Sequence, residues 1–405
     1  MNNTTPPPTA AQSIGMQHQM QIYLAGMQQK KPEIPVAYAD LEAKAREVMN
    51  PAAFAYIAGG AGGETTMDTN LRAFDRWQIW PRMLVDVSQR DLSIELFGQK
   101  LPTPLLFAPV GVLSIAHPEA EVAVAKASKT LKMPQILSTV SSKPMEEVAA
   151  IHGEHPHWFQ LYWGRDHEFT KSLISRAEQA GYGAIVVTLD TRLLAWRERD
   201  IQQAYLPFLY GEGLSNYFND PVFRAALGGD PQENTFKAIM QFAHVFSNPA
   251  LTWNDLAIIR NHTKLPIILK GIIHPEDAKL AVQHGADGIV VSNHGGRQVD
   301  GSVSALDMLP LIAEAVGHQT TILFDSGIRR GADVFKAMAL GAKAVLVGRP
   351  YAFGLAVGGE KGVRDVMSNL LADVDLTMGL AGCNSWDEAR RKGTLVRVKQ
   401  QELEF

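Results

Sequence analysis

The stretch GIVVSNHGGRQVDG at residues 288–301 joins an apolar, β-branched segment to a histidine and an arginine. The apolar half is typical of a buried strand, so His294 and Arg297 follow the point where that strand ends. Histidine is the side chain best suited to exchange a proton near neutral pH, and arginine binds carboxylates bidentately. The stretch therefore predicts proton transfer beside a bound anion.

Polar residues also follow most of the other short apolar runs in the chain. Packing explains the apolar bodies of these runs, but it does not explain a polar residue at almost every end. Asp190 is suited to hold the imidazole of His294, and Lys270 supplies a second cation. The run ends comprise Pro109, Val110, Gly111, Ser138, Gln160, Tyr162, Thr188, Asp190, Lys270, Asp325, Gly348 and Arg349.

Two segments near the end of the chain, DSGIRRG and VGRP, combine glycines with arginines. Glycines allow backbone N–H groups to approach phosphate oxygens, and guanidinium groups bind those oxygens bidentately. Gly327, Arg329, Gly348 and Arg349 therefore predict a phosphate site. The alternative, that these are tight turns beside a solvated basic face, is weakened because both segments carry the same pattern.

The elements that must position these residues are eight apolar runs separated by amphipathic segments. Runs that are apolar on both faces suit parallel strands covered by helices, and this number of units predicts a (β/α)₈ barrel. A doubly wound open sheet would require a glycine-rich turn after its first strand, which FAPVGVLS does not provide. The runs lie at 104–110, 134–140, 157–163, 184–190, 266–271, 288–294, 321–327 and 344–350.

The barrel is expected to span residues 36–405, preceded by an extension at 1–35 whose Pro/Thr-rich start is disordered. Helical spacing appears at 16–28 and 38–58, and residues 203–250 form an insertion after the fourth strand. Such an insertion lies on the face where barrels hold their active sites, so it is expected to cover the site.

The bulk composition excludes several classes of protein. The formal net charge of −4 gives no reason to expect nucleic acid as a partner, and the single cysteine excludes an internal disulfide or zinc–thiolate cluster. No uncharged run approaches the roughly 18–20 residues that span a bilayer, and the start of the chain is unlike a secretory signal. We expect a cytoplasmic protein without metal; the histidines of HGEHPH (152–157) predict a surface loop.

The motifs SNHGGRQ, TLDT and DSGIRRGADVFKAMALGAKAVLVGRP resemble those of the FMN-dependent 2-hydroxy-acid oxidases and dehydrogenases, and the likeness extends over about residues 36–380. The resemblance implies FMN as cofactor, a small 2-hydroxy acid and O₂ as reactants, and a homotetramer or octamer. It assigns catalysis to His294, Asp190, Lys270 and Tyr162. It assigns the substrate to Tyr56, Arg197, Arg297 and Tyr162. It assigns FMN to Pro109, Val110, Gly111, Ser138, Gln160, Thr188, Lys270, Ser292, Asp325, Gly327, Arg329, Gly348 and Arg349.

Within that family, Gly111 in APVG and the stretches NYFNDPVF and YAFGLAVGG are similar to the lactate 2-monooxygenases. These convert L-lactate and O₂ to acetate, CO₂ and water, whereas L-lactate oxidases release pyruvate and H₂O₂. We expect the first reaction, with the second as the alternative. We also expect Gly111 to leave a methyl-sized gap that alanine would fill. From the residues alone, a phosphate-binding lyase or isomerase that uses Lys270 as a Schiff base stays open.

Overall fold

The computed structural model describes residues 13–398. Its core is a closed barrel of eight parallel strands, which confirms the predicted (β/α)₈ fold. The disordered start that was predicted for the chain falls on residues outside the described range. The barrel strands are β1 (Leu105–Phe107), β2 (Gln135–Ser138), β3 (His157–Tyr162), β4 (Ile185–Thr188), β5 (Ile267–Ile272), β6 (Gly288–Val291), β7 (Thr321–Phe324) and β8 (Ala344–Val347).

The strand register brings the polar ends to one level. Ser138 pairs with Gln160, and Thr188 pairs with Lys270. The ladder between β5 and β6 shifts after Lys270, where Gly271 has a left-handed φ of 104°. A Cβ at Gly271 would lie 2.8 Å from the side chain of Asp190, so glycine permits β5 to pass this carboxylate closely.

Helices surround the barrel and connect its strands. The barrel helices and the carboxy-terminal helices are α5 (Ala120–Leu131), α6 (Met145–His152), α7 (His167–Gln179), α12 (Leu256–His262), α13 (Pro275–Gln283), α14 (Ala305–Val316), α15 (Gly331–Ala339), α16 (Arg349–Leu380) and α17 (Trp386–Ala389). The long α16 is interrupted by non-helical residues at Gly358 and Gly359. Among residues 13–398, no helix has the length and apolar character needed to cross a bilayer.

The amino-terminal layer consists of α1 (Ile14–Met27), α2 (Tyr38–Val48), α3 (Pro51–Ala58) and α4 (Thr65–Asp75). The predicted helical segment at 38–58 is broken into two helices because Asn50 caps α3 and Pro51 occupies its first turn. Helix α1 packs against α16, where the Gly15 amide donates to Asp375 at 2.8 Å. Helix α3 carries Tyr56 to the barrel mouth.

The insertion after β4 is helical and contributes buried side chains. It contains α9 (Ser215–Phe218), α10 (Pro221–Leu227) and α11 (Thr235–Val245), and the short helix α8 (Glu198–Gln202) precedes it. The aromatic side chains of Phe208 and Phe242 are buried, with ring centroids 5.2 Å apart. The buried side chains of this segment therefore extend the main hydrophobic core of the barrel.

The other end of the barrel is closed by a hairpin of strands Ile94–Leu96 and Gln99–Leu101. A further short strand pair joins Trp77–Ile79 to Leu395–Arg397. The prediction that HGEHPH forms a surface loop is wrong for His152 and His157, which are buried with parallel rings 4.7 Å apart. Neutral imidazoles tolerate this burial because His152 also hydrogen-bonds to Gln135. Among residues 13–398, no cluster of three His, Cys, Asp or Glu side chains is arranged to hold a metal.

Candidate active site

A cleft with a cavity volume of about 150 Å³, partly open to solvent, lies at the carboxyl ends of the barrel strands. This is the end at which barrels of this kind hold their ligands. The structure brings most of the predicted site residues to its walls. These are Tyr56, Pro109, Val110, Gly111, Tyr162, Arg197, Lys270, His294, Arg297, Asp325, Gly327, Arg329, Gly348 and Arg349.

Four other predicted residues lie buried just below the cleft rather than on its walls. Gln160 accepts from the Ser138 hydroxyl at 3.1 Å and donates to Thr188 Oγ1 at 2.9 Å. Ser292 accepts from Lys270 Nζ at 3.1 Å. These bonds satisfy the buried polar groups at the strand ends and fix the floor on which a ligand would rest.

His294 and Asp190 form the hydrogen-bonded pair that the sequence predicts, with Nδ1 and Oδ1 2.7 Å apart. Burial alone would raise the pKa of Asp190, but the charges of His294 and Lys270 outweigh it and lower that pKa to about 2. Burial lowers the pKa of His294, and Lys270 adds to this effect while Asp190 opposes it. At neutral pH the pair is therefore an anionic carboxylate and a neutral imidazole, which is the form that accepts a proton.

Lys270 is almost completely buried, and its Nζ lies 3.2 Å from Asp325 Oδ2. Burial lowers the pKa of this ammonium, but the negative charges of Asp325 and Asp190 outweigh burial and raise it. A lysine held in its protonated form is a poor nucleophile, so the geometry disfavours the Schiff-base chemistry of a lyase. It suits stabilisation of negative charge.

The two predicted carboxylate-binding arginines stand side by side. Arg297 Nη1 donates to the carbonyl oxygens of Tyr56 and Gly59 at 2.7 and 2.6 Å. Arg197 Nε donates to the Arg297 carbonyl at 3.2 Å. Burial and the neighbouring Arg197 lower the pKa of Arg297 to about 10. An anion bound between these two cations would relieve their repulsion.

Tyr162 ends β3 and faces the same cleft. Burial raises the pKa of its hydroxyl to about 12, with a further contribution from Asp190. Its ring packs against Phe246 of the insertion at a centroid distance of 5.2 Å. The hydroxyl therefore remains a hydrogen-bond donor at any physiological pH.

The opposite end of the cleft is basic. Arg349 donates to the carbonyl oxygens of Ile57, Gly59 and Gly295, and within residues 13–398 it has no carboxylate partner. Burial and the nearby Arg297 lower its pKa to about 9. Arg329 Nε is buried without a hydrogen-bond partner. A cation without a counter-charge beside an unsatisfied donor fits a bound phosphate.

Several site residues have no clear signal in the sequence. Ser326 accepts from the Gly295 amide at 3.0 Å and donates to Asp325 at 2.7 Å, so it joins the ends of β6 and β7. His294 and Ser326 both have left-handed backbones, with φ of 58° and 84°. Such conformations are rare outside glycine and cluster at functional sites. Phe208 and Phe246 line the cleft from the insertion, where no periodic pattern marks them.

The expected methyl-sized gap at Gly111 is not present. A Cβ built on Gly111 would lie 2.5 Å from Val140 Cγ2 and 2.7 Å from the Val140 carbonyl oxygen. Glycine occurs here because the loop after β1 passes directly against the loop after β2, with Val112 N donating to Val140 O at 2.9 Å. An alanine would have to displace Val140, which also lines the cleft.

Comparisons with known proteins agree with this geometry. A family model described as FMN-dependent dehydrogenase matches residues 45–396. An L-lactate oxidase of Lysinibacillus sphaericus (strain C3-41) is 47% identical over 370 residues, covering 91% of this chain and 94% of that protein. A 4-hydroxymandelate oxidase of Amycolatopsis orientalis is 42% identical over 363 residues, covering 90% of this chain and 99% of that protein. A crystal structure of mandelate oxidase aligns with a TM-score of 0.79 and 42% identity, covering 88% of this chain and 97% of that one.

The fold and the site thus define an FMN-dependent oxidoreductase on a (β/α)₈ barrel. The chain belongs to the family of FMN-dependent 2-hydroxy-acid oxidases and dehydrogenases, and it oxidises a 2-hydroxy acid with FMN as cofactor. The residues present fit that cofactor, because the unsatisfied Arg329 and the uncompensated Arg349 meet the needs of a phosphate. The cleft then continues toward His294, where the substrate would react.

Proposed function

We propose that the protein is an L-lactate 2-monooxygenase, which converts L-lactate and O₂ to acetate, CO₂ and water. The observation that supports 2-hydroxy-acid chemistry most directly is the Asp190–His294 pair beside Arg197, Arg297 and Lys270. A neutral base next to fixed cations suits a substrate that carries a carboxylate and loses a proton.

In this proposal the cleft divides into two parts. Arg329, Arg349, Gly327 and Gly348 would hold the FMN phosphate, and the Lys270 ammonium would stabilise negative charge on the bound cofactor. Bound FMN would supply a two-electron acceptor for the substrate carbon. The remaining cofactor contacts would come from Pro109, Val110, Gly111, Ser138, Gln160, Thr188, Ser292 and Asp325.

The reacting groups are supplied by the chain itself. Arg297 and Arg197 bind the substrate carboxylate, together with Tyr56, and so fix its orientation. His294 Nε2 takes a proton from the substrate, and Asp190 stabilises the imidazolium that results. Tyr162, whose hydroxyl stays protonated, donates to the substrate oxygen. Lys270 stabilises developing negative charge because its ammonium is fixed by Asp325.

The finer proposal, monooxygenation, depends on how long pyruvate stays in the site. Phe208 and Phe246 of the insertion line the cleft with ring centroids 5.9 Å apart. Together with Tyr162 and Val140 they form an apolar wall over the substrate end. Such a wall excludes water and slows release of a small product, which favours its decarboxylation by peroxide before it leaves.

A second candidate is an L-lactate oxidase that releases pyruvate and H₂O₂. It is favoured by the 47% identity to the L. sphaericus enzyme of that description over nearly the whole chain. The two reactions share every step up to formation of pyruvate, so the same residues serve both. They differ only in what leaves the site.

Product analysis with L-lactate and O₂ distinguishes the two reactions. In the absence of catalase, we expect one acetate and one CO₂ to form for each O₂ consumed, with little free peroxide. Added peroxide and pyruvate without enzyme provide the control for non-enzymatic decarboxylation. Pyruvate and H₂O₂ in equal amounts would overturn the monooxygenase proposal and leave the oxidase.

Gly111→Ala is expected to change this product distribution through Val140. Because the new methyl group overlaps Val140, the loop after β2 must move, at a cost of about 1–3 kcal/mol in the free energy of unfolding. We expect a lower melting temperature and a higher pyruvate-to-acetate ratio. Gly111→Ala combined with Val140→Ala removes the overlap with Val140 Cγ2 but not the overlap with the Val140 carbonyl oxygen, so it should recover only part of the stability. An unchanged melting temperature and ratio would show that the site tolerates the methyl group without movement.

A further inference from the structure

One loop determines the shape of the cleft on the side of Gly111. This loop, residues 139–142 after β2, carries Val140 to the cleft wall, and its Val140 carbonyl accepts from the Val112 amide at 2.9 Å. A Cβ at Gly111 would overlap Val140, so the two loops are in direct contact. The position of Val140 is therefore set by the contacts that hold the 139–142 loop.

Asn216, in helix α9 of the insertion, makes three hydrogen bonds or longer polar contacts to this loop and to the end of β2. Its Nδ2 donates to Thr139 O at 3.0 Å and to Ser141 Oγ at 2.9 Å, with a longer contact to Ser138 O at 3.4 Å. Its Oδ1 accepts from the Met145 amide at 2.9 Å. The side chain is fully buried, and it does not line the cleft.

The barrel holds the same loop from the other side. Glu121 of α5, which is also fully buried, accepts from the Ser142 amide at 3.0 Å and from the Leu113 amide at 3.2 Å. Ser215, next to Asn216, donates to Ser142 O at 2.6 Å. On the barrel side, Gln160 of β3 also bonds Thr139, accepting from its amide at 3.2 Å and from its hydroxyl at 2.6 Å. The loop is thus fixed between the barrel and the insertion, and Asn216 is its most extensively bonded contact on the insertion side.

We propose that Asn216 is a positioning residue that sets acid specificity by holding the loop after β2, and with it Val140, at a fixed place on the cleft wall. This inference rests on the oxidation of 2-hydroxy acids by this site, and it does not depend on which product is released. Loss of the amide leaves backbone carbonyls and the Met145 amide without partners in a buried site, so the loop must rearrange. A movement of methyl size in an apolar pocket changes discrimination between substrates on the order of 10–200-fold.

The test compares Asn216→Ala with Asn219→Ala in the FMN-loaded enzyme. Asn219 lies three residues further along the same segment, but it is exposed and its amide donates to Ser215 O. Oxygen consumption gives kcat/KM for L-lactate and for L-mandelate, whichever product leaves. We expect Asn216→Ala to change the ratio of these two values at least about 10-fold in favour of the larger acid, and Asn219→Ala to leave the ratio unchanged.

Equal losses for both acids in Asn216→Ala would show a general structural role and would overturn the proposal, as would an unchanged ratio. If Asn216→Ala does not fold or does not retain FMN, Ser141→Ala decides, because it removes one acceptor of the Asn216 amide at the loop itself. We then expect a change of ratio in the same direction, and its absence would equally overturn the proposal. Wild-type enzyme that produces pyruvate and peroxide would refute monooxygenation and leave this inference intact.

Discussion

Replacing His294 with alanine is expected to leave FMN bound and to slow its reduction by L-lactate on the order of 100–10,000-fold. Burial favours the neutral form of the His294 imidazole, and within residues 13–398 it is the only histidine side chain on the cleft wall. FMN should stay bound because the basic end of the cleft is formed by other residues. Anaerobic stopped-flow absorbance measures the reduction rate directly, without interference from the oxygen reaction.

His318→Ala is a matched control, since this histidine is exposed and follows α14 at the opposite end of the barrel. A loss of tenfold or less in His294→Ala would remove His294 from the role of base.

The pH dependence gives a second readout of the same residue. Because burial lowers the pKa of His294 below 6.5, the neutral base is present at neutral pH. The value of kcat/KM should therefore be at its plateau at neutral pH and fall as the pH decreases through the lowered pKa of His294. Asp190 opposes that lowering, so Asp190→Asn should move the acid limb to still lower pH while it reduces the plateau. An acid limb that moves to higher pH in Asp190→Asn would contradict this electrostatic account.

The barrel and most of its site could be predicted because their signals are local. Strands covered on both faces, such as Ile185–Thr188 and Gly288–Val291, must be continuously apolar, so a polar residue at a strand end is visible in the sequence. Parallel strands of a barrel then bring these ends together whatever the details of packing. This is why the positions of His294, Asp190 and Lys270 could be predicted.

The features that could not be predicted depend on contacts between distant segments. The sequence does not show that Val140 occupies the space where a Cβ at Gly111 would lie. That contact depends on how two loops, distant in the sequence, cross in the fold. The sequence pattern around His152 and His157 is typical of a solvated loop, and only the structure shows that their rings are stacked. Asn216 has the ordinary appearance of a loop asparagine, and only the fold shows that its amide holds the cleft wall.

The charges of the cleft also follow from the fold rather than from composition. The chain is acidic overall, with a formal net charge of −4, yet Arg197, Arg297 and Arg349 converge on one cleft. Burial lowers the pKa of Arg297 to about 10 and that of Arg349 to about 9. Repulsion from neighbouring arginines is the second cause of the lowering in both cases. Anionic ligands would offset this repulsion. We therefore expect the cleft to bind a phosphate at one end and a carboxylate at the other.

Under the proposed function, Arg297→Met is expected to weaken binding of the inhibitor oxalate and of L-lactate by about 2–5 kcal/mol, because it removes the cation that the proposal places against the ligand carboxylate. Arg197→Met should act in the same direction. Arg297→Lys should recover only part of the loss, since lysine cannot reproduce a bidentate contact. Titration of the flavin absorbance with oxalate measures each affinity.

Arg297 also donates to the Tyr56 and Gly59 carbonyls, so its replacement could act by loosening α3 rather than by removing charge. The amide of a 2-hydroxy acid separates these two causes because it keeps the shape of the substrate and lacks its charge. If Arg297 binds the carboxylate, Arg297→Met weakens oxalate far more than it weakens the amide, while FMN content stays constant. Equal weakening of both ligands would assign Arg297 to the support of α3, and oxalate binding as tight as in the wild type would exclude it from the carboxylate site.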